Sequence, residues 1–248
     1  MTTHLLAIDA STDRVEVALV CASGTHELTL PGGAQASTHL LPKLADLCRR
    51  SGCELAQLGA IAFGAGPGAF TGLRTACSVA QGLAFGLDRP TLALDTLAVV
   101  AESAALQGAP DLLWAALDAR MGEVYAAPMQ RMAPGHWRGL QPGSVYTPQG
   151  LLDAMSAAAF GDALAGPAVP AYPLLADGDQ RWPLARPGGA ALARVAQAAW
   201  DDGLARPAHE ALPLYGRDKV AQTSAERLAA RIQGRAPAPA SPALHTPG

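Results

Sequence analysis

Two aspartates with similar surroundings stand about 110 residues apart. Leu5-Leu6-Ala7-Ile8 runs into Asp9, after which Asp9-Ala10-Ser11-Thr12-Asp13-Arg14 turns the chain; Leu112 to Leu117 runs into Asp118, and Ala119-Arg120-Met121-Gly122 turns it again. A carboxylate at the end of a strand can hold a metal-bound water, and backbone N–H groups in the turn behind it can cradle phosphates. Asp9, Ser11 and Thr12 therefore read as a first phosphate turn, with Asp118 as its counterpart across a cleft. The plainer alternative for Asp9 is an Asx turn, in which the side chain only caps the hairpin. The Asp118 turn holds one glycine, where a loop wrapping a phosphate would use more. Independent nucleotide turnover is not expected.

The second concentration of unusual residues is Gly64-Ala65-Gly66-Pro67-Gly68-Ala69-Phe70-Thr71-Gly72-Leu73-Arg74, which follows a strand and opens a helix. Gly64, Gly66 and Ala69 satisfy the spacing of a dinucleotide fingerprint. That reading fails because the fingerprint belongs to the first strand of a parallel βαβ unit, whereas an antiparallel hairpin precedes this one. Pro67 also removes a donor from the loop, and neither GKS nor GKT follows. In the helix behind it, Gly72, Ala76, Ala80 and Ala84 recur at every fourth position, with Cys77, Ser78 and Gly82 also small. Such a row lets another helix approach closely. Spacing alone leaves open whether the row meets a second subunit or its own sheet, since Leu73, Val79 and Leu83 form a separate bulky face.

Other chemistries lack their residues. None of His4, His26, His39, His136, His209 and His245 forms an HxxxH or HxxH pair, so no metal-ligand helix is expected. The G-x-S-x-G elbow is missing, and Cys21, Cys48, Cys53 and Cys77 follow no CxxC spacing. No complete catalytic set and no metal ligands are read. The composition, 50% apolar, 16% charged and 5% aromatic with a net charge of -3, argues against a chain that grips nucleic acid by itself. Met1-Thr2-Thr3-His4 leads straight into a strand without a basic n-region, and no apolar run reaches membrane-spanning length. A soluble, cytoplasmic protein is expected.

The elements that must position these residues follow from periodicity. Leu5 to Ile8, Val15 to Leu19 and His26 to Leu30 read as three antiparallel strands. Helix Thr38 to Arg50, strand Leu58 to Phe63, helix Thr71 to Phe85, strand Thr91 to Leu94 and a helix capped by Asp95 or Thr96 come next, in the order βββαβαβα. The strand, aspartate and hairpin then recur at Leu112 to Met129. Strands within His136 to Tyr146, a helix Pro148 to Ala159 and a helix Ala190 to Trp200 follow, with Pro- and Gly-rich irregular stretches between. This gives a first lobe over residues 1–108, a reduced second lobe over 109–232 whose end packs back on the first, and a disordered tail over 233–248.

Leu6-Ala7-Ile8-Asp9-Ala10-Ser11-Thr12, Gly66-Pro67-Gly68-Ala69-Phe70-Thr71-Gly72-Leu73-Arg74, Ala80-Gln81-Gly82-Leu83-Ala84 and Asp118-Ala119-Arg120-Met121-Gly122-Glu123-Val124-Tyr125 together resemble the TsaB (YeaZ) family of bacterial tRNA threonylcarbamoyladenosine biosynthesis proteins. Leu214-Tyr215-Gly216-Arg217-Asp218-Lys219-Val220-Ala221 is similar to the family's C-terminal YLR segment. Two departures stand out: Ala36-Ser37 occupies the place of a common His–Ser/Thr pair, and Arg74-Thr75-Ala76-Cys77-Ser78 replaces RIGxG.

The resemblance implies an α/β protein of the actin-like ATPase (ASKHA) fold that has lost independent catalysis. It implies pairing with a catalytic relative, TsaD, through first-lobe helices, and docking of an ATPase, TsaE, on that pair. The complex would move a threonylcarbamoyl group from threonylcarbamoyl-adenylate to N6 of the adenosine beside the anticodon, in tRNAs reading codons that begin with A. Metal and adenylate would belong to TsaD, any bound nucleotide to a subunit junction, and tRNA contacts mainly to the partners. The expected interface comprises Leu40, Leu41, Leu44, Phe70, Gly72, Leu73, Ala76, Ala80 and Ala84, a face that a homodimer would use when TsaD is absent. On this expectation Ala76→Arg or Ala80→Arg breaks the pairing and spares the fold. The competing readings are an autonomous actin-fold kinase or ATPase using Asp9, Ser11, Thr12 and Asp118, and, more remotely, a peptidase.

Overall fold

The computed structural model describes residues 3–33, 36–158 and 160–214. The C-terminal segment from Tyr215 and the predicted tail over 233–248 lie outside the described residues.

The first sheet is built from β1 (His4–Asp9), β2 (Arg14–Cys21), β3 (Gly24–Pro31), β4 (Leu58–Gly66) and β5 (Thr91–Asp95), in the order β3-β2-β1-β4-β5. β1, β2 and β3 form the antiparallel meander, with Ile8 opposite Val17 and Asp9 opposite Glu16, while β1, β4 and β5 run parallel. Parallel neighbours need crossovers, which α1 (Ala36–Ser51) and α2 (Phe70–Leu87) supply. Strand alternation then sorts the side chains. Leu6, Ile8, Val17, Leu19, Ile61 and Phe63 form one buried layer with Leu40, Leu44 and Ala80 of these two helices. Leu5, Ala7, Ala18, Ala60, Ala62 and Leu92 form the opposite one.

A second sheet, in the order β11-β10-β6-β7-β8, comprises β6 (Leu112–Arg120), β7 (Glu123–Ala133), β8 (His136–Gly139), β10 (Leu164–Ala165) and β11 (Arg181–Trp182); β9 (Ser144–Tyr146) also pairs with β7. One face meets α3 (Thr96–Ala105) through Leu97, Val100, Ala101 and Ala104. The other face meets α4 (Pro148–Ala157), α5 (Ala168–Ala171) and α6 (Pro173–Ala176), with Trp114 at the centre of that layer.

The last α-helix among the described residues is α7 (Gly189–Asp201), within the span expected to form the second lobe. It follows the second sheet in sequence but packs Ala191, Leu192, Val195 and Ala196 against the open face of the first. Residues 204–214 likewise run along the first sheet's elements. Thr91 and Arg206 exchange backbone hydrogen bonds of 2.8 and 2.9 Å, and Leu214 N donates to Ala65 O at 2.7 Å. The two-residue strands β10 and β11 are too short for alternation to reveal. Among the described residues no helix is long and apolar enough to cross a membrane.

Candidate functional site

The two aspartate turns face a cleft of about 300 Å³ whose walls include Ser11, Thr12, Asp13, Asp118, Arg120 and Arg186. Its charges are paired: Arg120 Nη1 lies 3.3 Å from Asp118 Oδ2, and Arg186 Nη1 lies 3.9 Å from Asp13 Oδ1. An incoming phosphate would have to displace these carboxylates.

Asp9 does not reach the cleft wall. It is buried behind the first turn, where Oδ1 accepts the Ser11 N–H at 2.8 Å and the Ser11 hydroxyl at 2.6 Å, and Oδ2 accepts from Thr96 Oγ1 at 3.3 Å. Burial pushes its carboxyl up to about 6, against the opposing pull of those hydrogen bonds. Of the two readings of Asp9, the geometry is that of the Asx turn.

The glycine block explains why the turn sits so deep. A methyl at Gly64 would fall 1.9 Å from Asp9 Oδ2, one at Gly68 would fall 2.4 Å from Ser11 Cβ, and one at Gly72 would fall 1.7 Å from Ala10 O. Three glycines at four-residue spacing thus form a saddle for Asp9, Ala10 and Ser11. The saddle is locked by the Ala69 N–H, which donates to Ser11 O at 2.7 Å. The block serves the packing of the first turn, and its Ala69 donor is spent on protein.

At the second turn Asp118 Oδ1 accepts the Arg120 N–H at 2.8 Å, which repeats the bond between Asp9 and Ser11. It also accepts the Tyr172 hydroxyl at 2.8 Å, and that hydroxyl lies 3.0 Å from Glu123 O. Burial first, then the neighbouring Asp118 carboxylate, pushes the Tyr172 phenol up to about 12, so it stays a donor. Tyr172 and Arg186 come from the irregular part of the second lobe and were not among the residues singled out in the sequence. No local signal marks them, because their partners are distant in the chain.

The proposed interface residues divide by exposure. Leu41 (48%), Phe70 (37%) and the previously unselected Phe85 (79%) face outward. Leu40, Leu44, Leu73, Ala76, Ala80 and Ala84 are buried, all but Leu73 within the same layer of the first sheet, and Gly72 is seated on the Ala10 carbonyl. The six buried side chains pack inside this chain, so Ala76, Ala80 and Ala84 face the first sheet where a subunit face was expected, whereas Gly72 is half-buried and lines a surface pocket. α2 is thinned there to fit its own sheet. The row open to solvent is the opposite one, Ser78, Gly82 and Gly86, where a methyl at either glycine meets nothing within 4 Å. Beside it the Arg74 guanidinium stacks 3.8 Å from the Phe70 ring centroid.

No group of three or more His, Cys, Asp or Glu side chains among the described residues is arranged to hold a metal. Burial also raises the thiols of Cys48, Cys53 (to about 11) and Cys77, which keeps them protonated at neutral pH.

Residues 31–135 match the family model described as TsaD, tRNA N6-adenosine threonylcarbamoyltransferase. The solved structure of YeaZ from Pseudomonas aeruginosa superposes with a TM-score of 0.75 at 35% identity, covering 86% of this chain and 100% of that one. The chain belongs to the TsaB/YeaZ family. Its two mixed sheets flanked by helices are that family's actin-like ATPase fold. The tRNA threonylcarbamoyladenosine biosynthesis protein TsaB of Escherichia coli (strain K12) is 38% identical over 149 residues, which is 59% of this chain and 63% of that protein. TsaB of Haemophilus influenzae (strain ATCC 51907 / DSM 11121 / KW20 / Rd) is 38% identical over 127 residues, 51% of this chain and 54% of that protein. These alignments thus span between half and two thirds of the curated TsaB proteins.

Proposed function

We propose that this chain is a non-catalytic subunit in the cytoplasmic synthesis of N6-threonylcarbamoyladenosine, beside the anticodon of tRNAs that read codons beginning with A. In this reading it holds the catalytic subunit TsaD and the ATPase TsaE, and the partners make most tRNA contacts. The observation that carries the proposal is the likeness to YeaZ along that protein's whole length. The spent carboxylates agree with it, since Asp9 is sealed and Asp118 is engaged by Arg120 and Tyr172. Reconstitution with TsaD, TsaE, threonylcarbamoyl-adenylate and tRNA is the test: modification is expected only when this chain is present. Full modification without it, or ATP hydrolysis by the isolated chain, would overturn the proposal.

The partner face in this reading is the outer side of α1 and α2, with Leu41, Phe70, Ser78, Gly82 and Phe85. Two glycines inside a helix cost about 1 kcal/mol each relative to alanine. No atom within 4 Å requires them here, whereas a helix of TsaD, or of a second copy when TsaD is absent, would need that close approach. Gly82→Arg should leave the melting curve of the isolated chain nearly unchanged and abolish co-elution with TsaD. Ala80→Arg, whose side chain would enter the first core, should instead fail to fold. Co-elution of the Gly82→Arg chain at full affinity would remove this face from the interface.

A further inference from the structure

We infer that Glu102 is a latch that fixes the angle between the two lobes. The carboxylate belongs to the last turn of α3, the helix wedged between the two sheets, and its side chain is completely buried. Oε2 accepts the Gly135 N–H at 3.1 Å and the Trp137 indole N–H at 2.8 Å, both from the β7–β8 hairpin of the second sheet. Oε1 accepts Arg194 Nη1 of α7 at 3.2 Å and lies 3.6 Å from Arg131 Nη2 of β7. Because α7 rests on the first sheet, one carboxylate gathers donors from both halves of the molecule. Around it the hairpin is seated directly on α7: a methyl at Gly135 would fall 2.5 Å from Arg194 O, and His136 Nε2 lies 3.4 Å from Asp202 Oδ1.

A buried charge tolerates little change in its surroundings, because losing any donor leaves it in a medium that cannot solvate it. Because α3 packs on the second sheet, rocking that sheet away from the first would pull Glu102 off Arg194 while Gly135 and Trp137 stayed on the other oxygen. The latch therefore holds the cleft between the Asp9 and Asp118 turns at one width. The inference concerns the isolated chain and does not depend on the proposed function.

Hydrogen exchange on the full chain tests it. Glu102→Gln keeps the shape and removes the charge, and should speed exchange in peptides covering residues 131–139 and 190–198 by about tenfold or more, while β1 and β4 keep their wild-type rates. Trp137→Phe, which removes one donor and leaves the charge paired, should give a smaller rise of about threefold in the same peptides, and it carries the test if Glu102→Gln does not fold. Spin labels on Arg14→Cys, where β2 leaves the first turn, and Met121→Cys, in the second turn, should give one narrow distance in the wild-type background and a broad distribution with Glu102→Gln. Unchanged exchange in both variants, a rise spread evenly over all strands, or a distribution already broad in the wild-type background would overturn the latch.

Discussion

The two aspartate turns share one local bond and differ in everything behind it. Asp9 and Asp118 each accept the N–H two residues ahead at 2.8 Å. The first is then sealed by Gly64, Gly68, Gly72 and Thr96, while the second lies at the cleft with Arg120 and Tyr172 around it. The turn conformation is thus a property of four or five residues, whereas the chemistry available to the carboxylate is decided by distant packing. A buried carboxylate with a raised pKa is what a functional site often displays. Here the same signature arises from a glycine saddle that serves the fold.

The largest expected difference between the turns concerns their glycines. Gly72→Ala drives a methyl into the Ala10 backbone, which cannot move without moving β1, and should cost more than about 3 kcal/mol. Gly122→Ala at the second turn meets nothing within 4 Å and carries only the cost of a left-handed residue at φ +79, about 1 kcal/mol. Urea midpoints of the two variants measure both. Equal losses would mean that the first turn is no more tightly backed than the second.

Next comes the pH dependence. Burial raises the Asp9 carboxyl from 3.8 to about 6, so the folded chain holds this proton more tightly than the unfolded one. Its contribution is therefore fully present below about pH 4 and is lost as pH rises to about 6, a change of up to about 3 kcal/mol. Asp9→Asn keeps an acceptor for Ser11 and removes the charge. It should flatten this part of the stability curve and exceed the wild type at pH 7. Asp118→Asn removes an ion pair with a largely exposed arginine and should cost less than about 1 kcal/mol at pH 7. Unfolding curves at about pH 4, 5, 6 and 7 separate the two, and an unchanged slope in Asp9→Asn would show that the burial of Asp9 is not what the curve reports.

Sequence periodicity revealed the hairpins, the crossover helices and both aspartates, because strand alternation and turn residues act locally. It could not decide the face of α2. Rows 72, 76, 80, 84 and 78, 82, 86 are both small, and they lie on roughly opposite sides of the helix at about 100° per residue. Alanine fits a core and a contact equally well. The deciding fact is that Leu73, Ala76, Cys77, Ala80 and Ala84 form one wide apolar stripe, against which Val79 and Leu83 are only flanking residues. The partner face proposed above rests instead on interior glycines with open space around them, which no packing inside the chain accounts for. Glu102 also left a trace, as the only charge in Thr96–Ala105, but its three donors and the nearby Arg131 come from segments that only the tertiary fold assembles.

The smallest effect tests whether the second turn alone decides what the cleft can bind. Tyr172→Phe removes a hydrogen bond to Asp118 at a partly open site, where water can take the place of the hydroxyl, so a loss of about 1 kcal/mol is expected in the urea midpoint. The same change frees a lone pair on Asp118, a carboxylate that faces the cleft. If the saddle under Asp9 is what keeps the first turn from serving a metal-bound nucleotide, freeing Asp118 changes nothing, and calorimetry of Tyr172→Phe with Mg-ATP should stay flat. Measurable heat in this variant, absent from the wild type, would move the decisive difference from the buried turn to Tyr172.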